Sequence, residues 1–143
     1  MLWEKLKVEH ATKMRKVAID MHYRTDPLVE EWAVVNINTG PAYTVSHHGV
    51  MMGIAGIRIV RPGIGHSWAV FSVEMYKHVR RCFGTVKEAF LILEEEYVLR
   101  RVRTLSRVDF PASQRFVEHL NFKRKRLIPS IGHYLYVRKT WEF

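Results

Sequence analysis

The sequence predicts an α/β protein in which helices flank a mixed central sheet of about six or seven strands. Three observations carry this. Apolar residues recur at helical spacing in residues 11–21 and 85–97, so both are expected as amphipathic helices with one buried stripe. Residues 42–46, 50–60 and 67–72 are short apolar or β-branched runs separated by turn residues, the pattern of an antiparallel meander. Residues 101–122, RVRTLSRVDFPASQRFVEHLNF, then read as a strand, a turn, a helix and a helix stop in succession.

In chain order, Leu2, Leu6 and Val8 suggest a short first strand over residues 2–8. Met14, Val17, Ala18 and Met21 form the apolar stripe of the first helix, with Lys13, Arg15, Lys16 and Asp20 on its wet side. Asp26-Pro27 restarts the pattern as an N-cap with proline in the first turn; Leu28, Trp32 and Val35 continue it until Asn38-Thr39-Gly40-Pro41. His47-His48-Gly49 joins the next two strands as a hairpin. The second of these, VMMGIAGIRIV, is apolar on both faces and belongs in the sheet's interior, and Gly53 and Gly56 within it imply close packing against the backbone. Residues 61–65 read as a turn before the strand SWAVFS.

A short helix is expected near residues 75–79. A longer one follows from Thr85, with Val86, Phe90, Leu93 and Tyr97 inward and Glu94, Glu95 and Glu96 wet. Val102, Thr104, Ser106 and Val108 alternate with Arg101, Arg103, Leu105 and Arg107 as a strand. Asp109 is placed to cap the late helix, Pro111 suits its first turn, and Phe116, Val117 and Leu120 form its stripe. Asn121 tolerates the left-handed conformation that ends a helix, and Phe122 can fold back on Val117. Residues 123–128 and 133–137 close the sheet as a hairpin, with Tyr134 and Tyr136 on one face.

The 143 residues, 48% hydrophobic, fit a single domain spanning 1–143. No apolar run is long enough to span a bilayer, and the start MLWEKLKVEH lacks a signal-peptide core, so a cytoplasmic protein without a membrane partner is expected. One cysteine, Cys82, excludes an intramolecular disulfide and fits a reducing compartment. The net charge of +9 points to an anionic partner or to solubility. His47 and His48 have no cysteine or carboxylate at metal-ligand spacing, so no zinc site is expected. Tyr134 and Tyr136 beside the basic run 123–126 can be read as a nucleic-acid face or as strand packing with a wet edge. No P-loop, nucleophile elbow or paired-carboxylate motif occurs.

The element order resembles that of GNAT acyltransferases, the acetyl-coenzyme A-dependent N-acetyltransferase fold, over nearly the whole chain. The resemblance rests on Gly53-Ile54-Ala55-Gly56-Ile57 after a hairpin, on the strand–basic segment–helix unit of residues 68–97, and on the terminal strand–helix–Asn121-Phe122, where the family usually has Gly-Phe. Gly65-His66-Ser67-Trp68, Ser72 and Arg115-Phe116 resemble more closely a phage branch of that fold, the small GNAT-like proteins of short-tailed phages that include an internal virion protein. This resemblance implies a phage-encoded N-acetyltransferase using acetyl-CoA or CoA and acting on an amine of a protein or small molecule. The alternative it leaves open is a non-enzymatic virion or host-interaction protein. Either would reside in the host cytoplasm or the virion.

The family's pyrophosphate loop corresponds to Arg81-Cys82-Phe83-Gly84-Thr85-Val86, so the resemblance assigns Arg80, Arg81, Gly84 and Thr85 to the phosphates. Val86 departs from the small residue of the motif, and a glycine turn with a Thr85 N-cap reads the same residues equally well. The pantetheine arm would pair with the backbone of Val70, Phe71 and Ser72. The family's usual tyrosine and Asn/Asp fall at Val117 and Phe110, and the strand 67–72 has no carboxylate. That leaves His66 as the candidate general base, or as a turn residue.

Overall fold

The computed structural model describes residues 1–139. Its elements are β1 (Leu2–Lys5), α1 (Val8–Val17), α2 (Met21–Thr25), α3 (Val29–Thr39), β2 (Ala42–His47), β3 (Val50–Arg61), β4 (Ile64–Phe71), α4 (Val73–Lys77), α5 (Val79–Glu96), β5 (Arg101–Arg107), α6 (Pro111–His119), β6 (Lys123–Ile128) and β7 (His133–Lys139). The strands form one seven-stranded sheet in the order β1-β2-β3-β4-β5-β7-β6. It is mixed: β4 pairs with β5 in parallel, whereas β1–β2, β2–β3, β5–β7 and β6–β7 are antiparallel. The expected fold class is therefore observed, and β3 lies in the sheet's interior. The described chain divides into two compact units, and β3, β4 and α5 each contribute residues to both.

The first unit comprises residues 1–58 and 68–89. Its core gathers Leu6, Ala11, Met14, Ala18, Val29 and Ile54, with Trp32, Trp68 and Val70 packed against it. The tryptophans meet edge to face, with ring centroids 4.8 Å apart. Trp68 can lie there because β3 is bare beneath it: a Cβ at Gly56 would sit 2.7 Å from the Trp68 ring and 2.5 Å from the Pro41 carbonyl. A Cβ at Gly53 would sit 2.8 Å from the Val70 carbonyl. The hairpin after β2 turns through His48 and Gly49, both in the left-handed region at φ 50° and 77°.

The second unit comprises residues 59–67 and 90–143, described to residue 139. Along β5, Val102, Thr104 and Ser106 are buried, while Arg101, Arg103, Leu105 and Arg107 lie on the opposite face. Helix α6 and the end of α5 attach to the buried face. Ser106 Oγ donates to Ser113 Oγ at 3.0 Å, Tyr136 Oη donates to Glu118 at 3.1 Å, and Phe90 meets Phe122 edge to face. Arg138 grips Glu94 with Nε 3.0 Å from Oε2 and donates Nη1 to the Leu120 carbonyl at 2.6 Å; the two side chains are only 11% and 5% exposed. Asn121 takes φ 67° as expected, and Phe122 N–H returns to the Val117 carbonyl.

Several expectations are corrected. The first strand ends at Lys5, because His10 Nδ1 accepts Lys7 N–H and the Lys7 carbonyl accepts His10 N–H, which starts α1 at Val8. The helix expected through Met21 breaks after Val17: Ala18 bridges to Ser72, and Asp20 caps a separate α2 by accepting His22 N–H. In α3 the buried residues are Val29, Ala33 and Asn36, one position on from the expected Leu28, Trp32 and Val35 stripe, because Asp26 ties down Leu28 N–H and leaves Leu28 as the cap. The turn before β4 is Pro62-Gly63 alone, with Ile64 and Gly65 already in the strand beside β5. Glu94 is buried through Arg138 rather than wet. Asp109 pairs with Arg107 instead of capping α6, whose N-cap is Phe110.

Gly56→Ala is expected to destabilise the protein by about 1–3 kcal/mol in urea unfolding, because neither the Pro41 backbone nor the packed indole can yield freely. Arg138→Met is expected to cost about 3 kcal/mol by leaving Glu94 buried without its partner, and adding Glu94→Leu to that variant should recover most of the loss.

Candidate functional site

The residues expected to hold a cofactor lie in the first unit, at the end of β4 and along the two helices after it. Ser72 is 1% exposed and fully engaged. Its N–H donates to the Met52 carbonyl at 2.9 Å, its Oγ accepts Met75 N–H at 3.1 Å as the N-cap of α4, and its carbonyl accepts Tyr76 N–H at 3.2 Å. The Phe71 carbonyl accepts Ile19 N–H at 3.0 Å, so the link between α1 and α2 is bound to the end of β4. Val70 is half-buried, its carbonyl directed at Gly53. An open cavity of about 310 Å³ lies beside this end, lined in part by Lys16, Arg24, Met51, Ser72, Val73 and Glu74.

Helix α5 begins at Val79, six positions before the Thr85 expected to start it. Arg80 and Arg81 are exposed on its first turn, whereas Gly84 and Thr85 lie in its interior, where backbone amides bond along the helix. Both sequence readings of this segment, the glycine turn with its Thr85 cap and the open loop of amides, are thereby corrected. The physical reason is burial: Cys82, 1% exposed, extends the stripe of Val86 and Leu93 one turn backward, and a mid-helix glycine costs only about 1 kcal/mol against that anchoring. Burial also pushes the Cys82 thiol up, away from a reactive thiolate.

His66 belongs to the second unit. It stands in β4 opposite Arg103, half-buried, and is a strand residue rather than a turn residue. Phe110 makes no side-chain cap to α6. Two buried donors of the first unit, Trp68 Nε1 and Arg58 Nε, have no hydrogen-bond partner among the described residues. A Thr–His–Glu line that the sequence did not suggest joins Thr44 Oγ1 to His10 Nδ1 at 2.7 Å, with His10 Nε2 3.8 Å from Glu4. His10 Nδ1 also accepts Lys7 N–H, which fixes it as the acceptor of the threonine hydroxyl, but Thr44 is 1% exposed and out of a substrate's reach. This line ties β1, α1 and β2 together. Among the described residues no cluster of His, Cys, Asp or Glu could hold a metal ion, and no helix is long and apolar enough to cross a membrane.

No protein-family model and no curated protein matches the chain. Solved structures do. RimL, a ribosomal-protein alpha-N-acetyltransferase solved with coenzyme A, superposes with a TM-score of 0.73 over 96% of this chain and 92% of its own, at 12% identity. A chimera of the Vibrio cholerae spermidine N-acetyltransferase SpeG gives 0.75 over 96% and 94% at 11% identity. A GNAT-family acetyltransferase from Bacillus anthracis gives 0.72 over 96% and 93% at 10% identity. The fold is that of the GNAT acetyltransferases. On this GNAT fold the structure brings Val70, Phe71, Ser72, Arg80, Arg81, Gly84 and Thr85 into one unit, and places His66 in the other.

Gly84→Ala is the direct check on the helix. The glycine is exposed, with no atom within 4 Å of an added Cβ, so alanine should stabilise the protein by about 0.5–1 kcal/mol in thermal or urea unfolding.

Proposed function

We propose that the protein is a phage-encoded, acyl-CoA-dependent N-acetyltransferase acting on an amine of a protein or small molecule. The observation that carries this reading is the charge at the start of α5. Arg80 and Arg81 are exposed on the first turn of an 18-residue helix where the macrodipole is already positive, and a bound anion would offset both; Lys77, just before it, is paired with Glu74. The cations fit a pyrophosphate; the main chain fits it less well, since Gly84 and Thr85 offer no free amide loop. Side chains of Arg80 and Arg81 therefore hold the phosphates, with Gly84 leaving room one turn on and the Thr85 hydroxyl beside it. Val70, Phe71 and Ser72 line the pantetheine arm, and the Phe71 carbonyl, which already accepts Ile19 N–H, offers it a second lone pair.

Acetyl-coenzyme A would supply the acyl thioester when bound, and coenzyme A would be the leaving thiolate. The amine nitrogen must be neutral to form the new C–N bond as the C–S bond breaks, and its proton goes to a base while the thiolate takes one up. His66 is assigned as that base, since the rest of β4 carries no titratable side chain. The host cytoplasm or the virion is the proposed location, following the phage resemblance.

A second reading, a GNAT-fold virion or host-interaction protein without a cofactor, is favoured by the bonds that occupy Phe71 and Ser72 and by the unbroken helix through Gly84. Thermal unfolding with acetyl-CoA, CoA and ATP separates the two. A site saturated about a hundredfold above Kd adds about 2.7 kcal/mol, a rise of several degrees, and Arg80→Ala with Arg81→Ala should abolish it. A rise with both CoA ligands and not ATP supports the enzyme; no rise supports the second reading.

A further inference from the structure

The second unit leaves one face of its sheet without a helix of its own, and that face is basic. On β5 it carries Arg101 and Arg103, and the register places Lys139 of β7 opposite the first and Val137 opposite the second. Lys123 and Arg126 of β6 continue the rows beyond Val137 and Leu135. Among the described residues Arg101, Arg103, Lys123, Arg126 and Lys139 form no ion pair. Two features show charge arranged at a cost to the isolated protein. Arg101 and Lys139 are like charges at directly facing positions, which destabilises a sheet. Arg103 Nε is buried with nothing to accept its proton. Between these cations lies an aliphatic strip, with Leu105 facing Leu135 and Val137 beside them.

From this we infer that the face docks an acidic, aliphatic-rich segment of a partner protein, whose carboxylates answer the exposed cations Arg101, Lys123, Arg126 and Lys139 while its apolar side chains cover the leucines. This interaction is independent of acyl transfer. A single-stranded nucleic acid suits the face less well, because bases need aromatic platforms. The aromatics of β7 point to the other face: Tyr136 is fully buried there, and Arg124 covers the Tyr134 ring with its guanidinium carbon 3.8 Å from the centroid.

The test is fluorescence anisotropy on the full chain with a labelled peptide of Glu-Glu-Leu-Leu repeats, in which each side of the extended peptide alternates acid and leucine. A Lys-Lys-Leu-Leu peptide and oligo-dT are measured beside it. The acidic peptide is expected to bind with an affinity that falls as salt rises. Arg101→Gln, Lys123→Gln and Lys139→Gln combined should weaken it by about tenfold or more while leaving the thermal midpoint unchanged or raised. Amide shifts on titration should fall in β5 and β7. No binding, equal binding of the lysine peptide, or binding indifferent to the triple variant overturns the inference. Tighter binding of oligo-dT that the same variant abolishes overturns it in favour of nucleic acid.

Discussion

The close approach of Trp68 to a bare stretch of β3 governs how the first unit is built. An indole can lie across Gly56 only where no Cβ intervenes, and once there it presents its edge to Trp32 of α3. Helix α3 in turn packs through Val29 and Ala33, and α1 through Ala11, Met14 and Ala18; the small residues let helices and sheet approach closely. Strand β4, which carries Trp68, ends at Phe71 just before Ser72, so the packing that seats the indole also positions that strand end. A hydrogen-bond donor is left over in the process, since Trp68 Nε1 is buried without a partner.

At that strand end two demands compete for the same backbone atoms. Folding uses the Phe71 carbonyl to anchor the link between α1 and α2, and uses Ser72 to bind β3 and to cap α4. A ligand needs those atoms open. The Phe71 carbonyl keeps a second lone pair beside Ile19 N–H, but the single Ser72 N–H is given to Met52, and freeing it for a ligand would cost one backbone hydrogen bond or roughly 1 kcal/mol. A binding protein would need no such change. The architecture matches that of RimL and SpeG, yet at 11–12% identity it is the altered site residues that must decide between the roles.

Much of the architecture was legible because it follows from periodicity. The alternation along 101–107, the glycines of β3 and the left-handed Asn121 each have one structural solution, and the order of elements followed from them. What was not legible depended on competition between local signals. Helix α3 is apolar on several sides, with Val34 and Val35 exposed, so its buried phase could not be told from spacing. Asp109 had a choice between the Arg107 guanidinium and the helix amides. Glu94 reads as wet until Arg138, far along the chain, is seen to reach it. Residues 81–86 read as a turn or loop because Gly84 signals a break locally, while the buried Cys82 stripe that overrides it comes from tertiary packing.

The irregularity in β6 between Arg124 and Arg126 has its own consequence. One extra residue, Lys125, bulges from the ladder, so Arg124 turns toward the tyrosines while Arg126 turns to the opposite face beside Leu135. A strand at the border of a sheet otherwise offers a straight row of unpaired amides and carbonyls on which a second chain can grow. Here that row is kinked and studded with positive charge, so this border of the sheet is a poor template for another copy.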